Sequence, residues 1–208
     1  MTKKTQTILS ISGLLICLQL LLFGIKQIVF LFVTRTQFTD SLATMLAMIV
    51  VGAIFILYTI KRNVELSVWP TDFSKAYIVA TCVMIALFIA TPANYIEGFP
   101  AILLLFYGSV ITPIFEELIF RGYIWNKLNR AYKNEWLNYT ISTVLFGLWH
   151  LGAIYSIAFR IESGLAKIMM LKVMVGLFYG VVLGLLRLKT KNCYATMILH
   201  GIMNIFGR

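Results

Sequence analysis

Glu116 and Glu117 stand side by side in the run Pro113-Ile-Phe-Glu-Glu-Leu-Ile-Phe-Arg-Gly-Tyr-Ile-Trp125, and Arg121 follows four residues after Glu117. The remainder of that run is apolar. A charge in hydrocarbon costs roughly 2.5–3.5 kcal/mol on insertion scales, so three ionisable groups this close together need a purpose. The chain has 2 histidines, both in apolar surroundings. Phe146 precedes His150 by four positions, and Asn204 follows His200 by four. An interval of four puts both members of each pair on one helix face. The three groups suit activation of water. A carboxylate can act as general base when burial or neighbours make it more basic. One histidine can hold or polarise the water, while a second histidine and an amide can donate to a developing oxyanion. Arg121 can neutralise Glu117, which leaves Glu116 as the base. Glu116, His150 and His200 are also the donor types of a zinc site with an open fourth position, so zinc is a possible cofactor. The helical H-E-x-x-H spacing is absent, and such a site would draw on three helices. No serine or cysteine has an obvious base beside it.

The elements that must bring these groups together are membrane helices. The chain is 60% hydrophobic and 12% charged, with a mean hydropathy of +0.88, whereas soluble domains carry about 25% charged residues. The expected fold class is all-α, a polytopic transmembrane bundle of about seven spans forming one domain over residues 1–208, with the chemistry-bearing motifs inside 113–206. Apolar runs near bilayer length fall at about 8–33, 42–60, 76–91, 100–125, 137–159, 165–186 and 193–206. The net charge of +10 does not point to nucleic acid, because the basic residues lie in short clusters between spans with no continuous basic face. They read as topology signals. With the N-terminus cytoplasmic, one side collects Lys3, Lys4, Lys61, Arg62, Lys75, Lys127, Arg130, Lys133, Arg187, Lys189 and Lys191. The other side has Arg35, Arg160, Lys167 and Arg208. Counted from the nearest cytoplasmic helix end, Glu116, His150 and His200 lie roughly 13, 20 and 11 Å deep, in overlapping layers of the cytoplasmic half or near the midplane. Gly176, Gly180 and Gly184 put small residues on one face of the sixth span, which suits close helix packing. Lys26 and Lys172 lie within spans and either snorkel or line a cavity. Cys17, Cys82 and Cys193 are far apart and read as buried apolar thiols.

The pattern Glu116-Glu117-x-x-x-Arg121, Phe146-x-x-x-His150 and His200-x-x-x-Asn204 resembles the CPBP intramembrane protease family, also called the Abi or CAAX protease and bacteriocin-processing family. That family includes the type II CAAX prenyl endopeptidases. The resemblance spans residues 116–204 and leaves the N-terminal spans uncovered. It implies an endopeptidase acting on a membrane-associated or lipidated protein or peptide, in a multi-pass protein of the plasma membrane. It assigns Glu116 and His150 to the attacking water, His200 and Asn204 to the oxyanion, and Glu117, Arg121 and Phe146 to support. Both metal-dependent and metal-free mechanisms are held for the family. Two other functions fit the residues: a non-proteolytic membrane immunity or signalling partner, and a small ion-coupled transporter. The transporter reading would be favoured by inverted repeats, and the sequence contains none that we detect.

Overall fold

The computed structural model describes residues 2–207, and among these every regular element is helical. We label seven helices: α1 Lys3–Phe30, α2 Gln37–Lys61, α3 Lys75–Ala90, α4 Phe99–Tyr132, α5 Glu135–Arg160, α6 Leu165–Thr190 and α7 Cys193–Phe206. A short helical turn, Ala93–Ile96, joins α3 to α4. Among the described residues six helical spans are long and apolar enough to cross a bilayer, the third being α3 together with the following turn, Lys75–Ile96, close to the seven expected. The exception is α7. Its 14 residues reach only about 21 Å, against roughly 30 Å of hydrocarbon. The chain is an integral multi-pass membrane bundle.

Local sequence explains the helix ends. The Thr36 hydroxyl accepts from the Thr39 amide while the Thr39 hydroxyl accepts from the Thr36 amide, closing a reciprocal cap on α2. The α4–α5 and α6–α7 connections share one device. Lys133 and Lys191 adopt left-handed backbone, with φ of 51° and 60°. Asn134 and Asn192 follow them and cap the next helix through their side-chain oxygens. Each turn therefore reverses the chain in two residues and holds the helices antiparallel.

The pairing of α5 with α6 is the most extensive in the bundle. A Cβ at Gly176 would lie 2.6 Å from His150 Nδ1, one at Gly180 3.0 Å from Thr143 Cγ2, and one at Gly184 2.7 Å from Tyr139 Cδ2. The glycine ladder thus packs against α5, as its spacing predicts. Water is not the competitor in a bilayer, so this close approach stabilises chiefly through dispersion. The main core lies between α1, α2, α4 and α5, with Leu15, Leu18, Val51, Phe55, Ile119, Phe120, Ile124 and Phe146 at its centre. Large apolar side chains such as Leu20, Ile60 and Met170 face outward, as a lipid-facing surface requires. Cys193 is buried, but Cys17 and Cys82 are exposed on the outside of the bundle. The expectation of three buried thiols is corrected to one, because an apolar thiol can be sheltered by lipid instead of by protein.

Two π-helical turns interrupt α4, at Tyr107–Ile111 and Leu118–Ile124. Each widens the helix by one residue and passes over one carbonyl. In the first, the Thr112 amide bonds the Tyr107 carbonyl and Pro113 has no N–H, so the Gly108 carbonyl is left without a helical partner. Asn204 Nδ2 on α7 donates to it at 2.7 Å. In the second, the Trp125 amide bonds the Phe120 carbonyl and skips Arg121. Arg187 Nε on α6 donates to the Arg121 carbonyl at 2.9 Å. The two irregular turns are therefore the points where α7 and α6 are tied to α4, and they flank the helical turn that carries Glu116 and Glu117.

Candidate active site

Neighbouring positions give the two glutamates different surroundings. Glu117 is fully buried. Its Oε1 accepts from Arg121 NH1 at 3.1 Å and from His200 Nδ1 at 2.9 Å. Arg121 is also fully buried, and its guanidinium lies 4.2 Å from the Phe146 ring centroid. Glu116 points elsewhere and borders a cavity. Its Oε1 accepts from the Trp149 indole N–H at 3.0 Å, and its Oε2 lies 3.9 Å from His200 Nε2. That last separation is beyond hydrogen-bonding reach, so one carboxylate oxygen and one imidazole nitrogen remain uncommitted side by side.

His150 opens a 3₁₀ turn within α5, where the helix tightens over His150–Ala153. Its Nδ1 lies 2.8 Å from the Phe146 carbonyl. A carbonyl only accepts, so Nδ1 carries the proton and Nε2 keeps a lone pair. The ring is fixed from behind by Gly176, where any side chain would collide with it. Phe146 meets His150 and His200 edge to face, with centroids 5.1 and 6.0 Å away. It thus packs against the Arg121 guanidinium and both imidazole rings. Gly201 gives α7 its approach, because a Cβ there would lie 2.5 Å from the Ser109 carbonyl.

Glu116, His150, His200 and Asn204 all line one cavity of about 400 Å³. Glu117, Arg121 and Phe146 stand behind it as supports and do not line it. The wall also includes Tyr107, Trp149 and Tyr179, and further out Lys26, Arg160 and Lys172. Every sequence-predicted site residue is therefore gathered at one place. The lining residues of α1 and α5 come from the C-terminal halves of those helices, those of α2 from its N-terminal half, and those of α4 from its N-terminal half and midpoint. The cavity thus opens from the middle of the bundle toward the end that holds Phe30, Gln37, Phe99 and Arg160, which in the predicted orientation is the non-cytoplasmic half and not the cytoplasmic one expected from helix-end counting.

The family model for type II CAAX prenyl endopeptidase Rce1-like proteins matches residues 98–206. The chain belongs to this family. The match runs from the start of α4 to the end of α7 and contains all three motifs, while α1–α3 lie outside it. No curated protein and no solved structure matches the chain. As a family, Rce1-like proteins are CAAX-type membrane proteases, and at that level the chain is a protease.

Two features of this Rce1-like site escape sequence reasoning. Trp149 is adjacent to His150 and hydrogen-bonds Glu116, but a tryptophan in an apolar helix carries no spacing signal. Lys26 pairs with Asp40, which is 0% exposed, at 3.2 Å, and Asp40 also binds Arg35 at 2.8 Å and Arg160 at 3.1 Å. Asp40 stands near a polar loop, where an isolated carboxylate reads as solvated. The possible zinc donors Glu116, His150 and His200 do not form a metal-sized cluster. Among the described residues no three His, Cys, Asp or Glu side chains are placed to hold an ion.

Proposed function

We propose that this protein is an intramembrane endopeptidase that hydrolyses a membrane-associated or lipidated peptide through water activated by Glu116. The observation that carries the reading is the split between the two glutamates: Glu117 is fully buried and tied through Oε1 to Arg121 and His200, while Glu116 faces a cavity with an oxygen free. In the proposed cycle, His150 Nε2 accepts a hydrogen bond from the water and orients it. Glu116 takes the proton of that water as oxygen attacks the scissile carbonyl. His200, with Nδ1 held by the Glu117 carboxylate, presents Nε2–H in its protonated form to the tetrahedral oxyanion. Asn204 spends one N–H on Gly108 and has a second to offer. Collapse of the intermediate breaks the C–N bond, and the proton held by Glu116 passes to the departing amine. No step is routed through a metal, because the donors are not gathered for one.

An apolar groove supports a lipidated or transmembrane substrate. Leu15, Ile16 and Leu20 of α1 face Leu145, Leu148 and Leu151 of α5 across about 350 Å³. Gln19, Trp149 and Gly152 belong to both the groove and the cavity. The Gln19 side chain, which donates to the Trp149 carbonyl at 3.0 Å, stands between the two, so a chain lying in the groove would enter the Glu116 site by displacing it. The substrate partner is a membrane protein or peptide, and the enclosing partner is the bilayer. The reading treats residues 1–208 as one integral domain. Comparing membrane-associated peptides from cells that express wild type and Glu116→Gln tests it. Cleavage products should appear only with wild type, whereas identical peptide sets would favour a non-proteolytic partner role.

A further inference from the structure

Gln19 stands near the middle of α1, a helix that lies outside the family match. A primary amide at that depth needs a partner. Its Nε2 donates to the Trp149 carbonyl at 3.0 Å, and the indole N–H of the same tryptophan holds Glu116. Gly152 makes room for the contact, since a Cβ there would lie 2.1 Å from Gln19 Oε1 and 2.3 Å from Nε2. Gln19, Trp149 and Gly152 are the lining that the apolar groove and the polar cavity have in common. Interhelical bonds to side-chain amides ordinarily act as glue between membrane helices. Glue could sit at any level of the α1–α5 contact, whereas this bond lies across the place where the two spaces meet.

We infer that the Trp149 carbonyl is a subsite for a backbone N–H of the chain being cut, and that the Gln19 amide closes this subsite in the resting protein. Its use by a substrate rests on the endopeptidase reading. A chain moving from the groove to Glu116 passes Trp149 and Gly152 and pushes Gln19 aside. The Trp149 carbonyl then needs a new donor, because a buried carbonyl without one carries a desolvation cost. A peptide supplies it, and its own N–H groups need acceptors inside a bilayer. One amide replaces another, so the exchange is close to balanced. A lipid acyl chain fits an apolar groove but has no donor, and displacing Gln19 would leave the carbonyl unpaired. Gln19 and the Trp149 carbonyl together therefore admit peptide backbone and keep the tails of surrounding lipid away from the catalytic water.

The test reads entry to the cavity and needs no turnover, so it stands or falls separately from the cleavage reading. Thr112 lines the cavity, and Thr112→Cys is placed in full-length Glu116→Gln protein whose own cysteines are replaced by alanine. In liposomes it is labelled by two bilayer-dissolved reagents, N-dodecylmaleimide and maleimidopropionyl-trileucine methyl ester. Each rate is divided by the rate at Leu57→Cys, which faces outward. The peptide reagent is expected to label at least about fivefold faster than the acyl reagent, the factor one hydrogen bond supplies. Gln19→Ala should raise both rates at least about fivefold, whereas entry through the cavity mouth would not depend on Gln19. Gly152→Ala sets a methyl group against the Gln19 amide and should raise them too, and the double variant should add nothing further. Gly152→Ala leaves α1 intact, so it carries the comparison if Gln19→Ala does not fold. Equal labelling by the two reagents, labelling by neither, or rates that ignore the substitutions overturns the inference. Unchanged rates with a lower unfolding temperature would make the amide interhelical glue only, and overturn it as well.

Discussion

Glu116 and Glu117 are the same residue type one position apart, and a helix sends them 100° apart. One consequence is that their substitutions should fail in different ways. Arg121→Met leaves the Glu117 carboxylate buried with only His200 beside it, which should destabilise the protein by about 3–5 kcal/mol. The double variant Glu117→Gln/Arg121→Met removes both charges and should recover much of that loss, a non-additivity readable by thermal unfolding in detergent. Trp149→Phe keeps the ring but deletes the donor to Glu116 Oε1. We expect kcat to fall about tenfold with KM little changed, as expected when an orienting hydrogen bond to a charged group is lost. At this scale the sequence was informative wherever a residue type is expensive in a membrane. The acid pair, Arg121, both histidines and Asn204 announced themselves by their cost. Trp149 and Tyr179 did not, because an aromatic side chain in an apolar helix needs no justification.

The helices act through their irregular turns. Asn204 and Arg187 meet carbonyls that exist as free acceptors only because α4 is π-helical at two places. Asn204→Asp removes the donor and sets a carboxylate against the Gly108 carbonyl. It should cost both activity and stability, whereas substitutions on the lipid face such as Ile60→Ala should cost neither. Gly176→Ala is the sharper probe. A methyl group 2.6 Å from His150 Nδ1 forces the ring away from the Phe146 carbonyl and turns Nε2 from the water. Turnover should drop at least about tenfold while the helix itself gains propensity. Gly201→Ala, aimed at the Ser109 backbone, should instead loosen α7 and lower the unfolding temperature. The glycine ladder was legible from its four-residue period, and its partner helix was not. The π turns were invisible, since Pro113 alone suggests a helix start as readily as an insertion.

Across the whole molecule, hydropathy exposed the long helices and left α7 ambiguous, because a 14-residue apolar helix is too short to count as a span on its own. The three partners of buried Asp40 come from α1, the α1–α2 connection and α5, so that cluster appears only when α1, α2 and α5 are assembled. Asp40→Asn would strip the common counter-charge from Lys26, Arg35 and Arg160, and we expect a markedly lower yield of folded protein. The basic residues of the loops predict a cytoplasmic N-terminus, and the cavity sits at the opposite end of the bundle. The cavity mouth is therefore expected on the non-cytoplasmic side. In a cysteine-free background, Ser163→Cys should react with a membrane-impermeant maleimide in intact cells and Lys133→Cys should not. The reverse pattern would turn the mouth toward the cytoplasm. The central claim is that this bundle exists to hold Glu116 against a water molecule. Its most direct test is the rate at which purified, reconstituted protein cleaves a prenylated CAAX-type peptide, compared with folded Glu116→Gln. The account predicts a loss of about 10²–10⁴-fold on removing the base. A Glu116→Gln variant that retained the wild-type rate would contradict it.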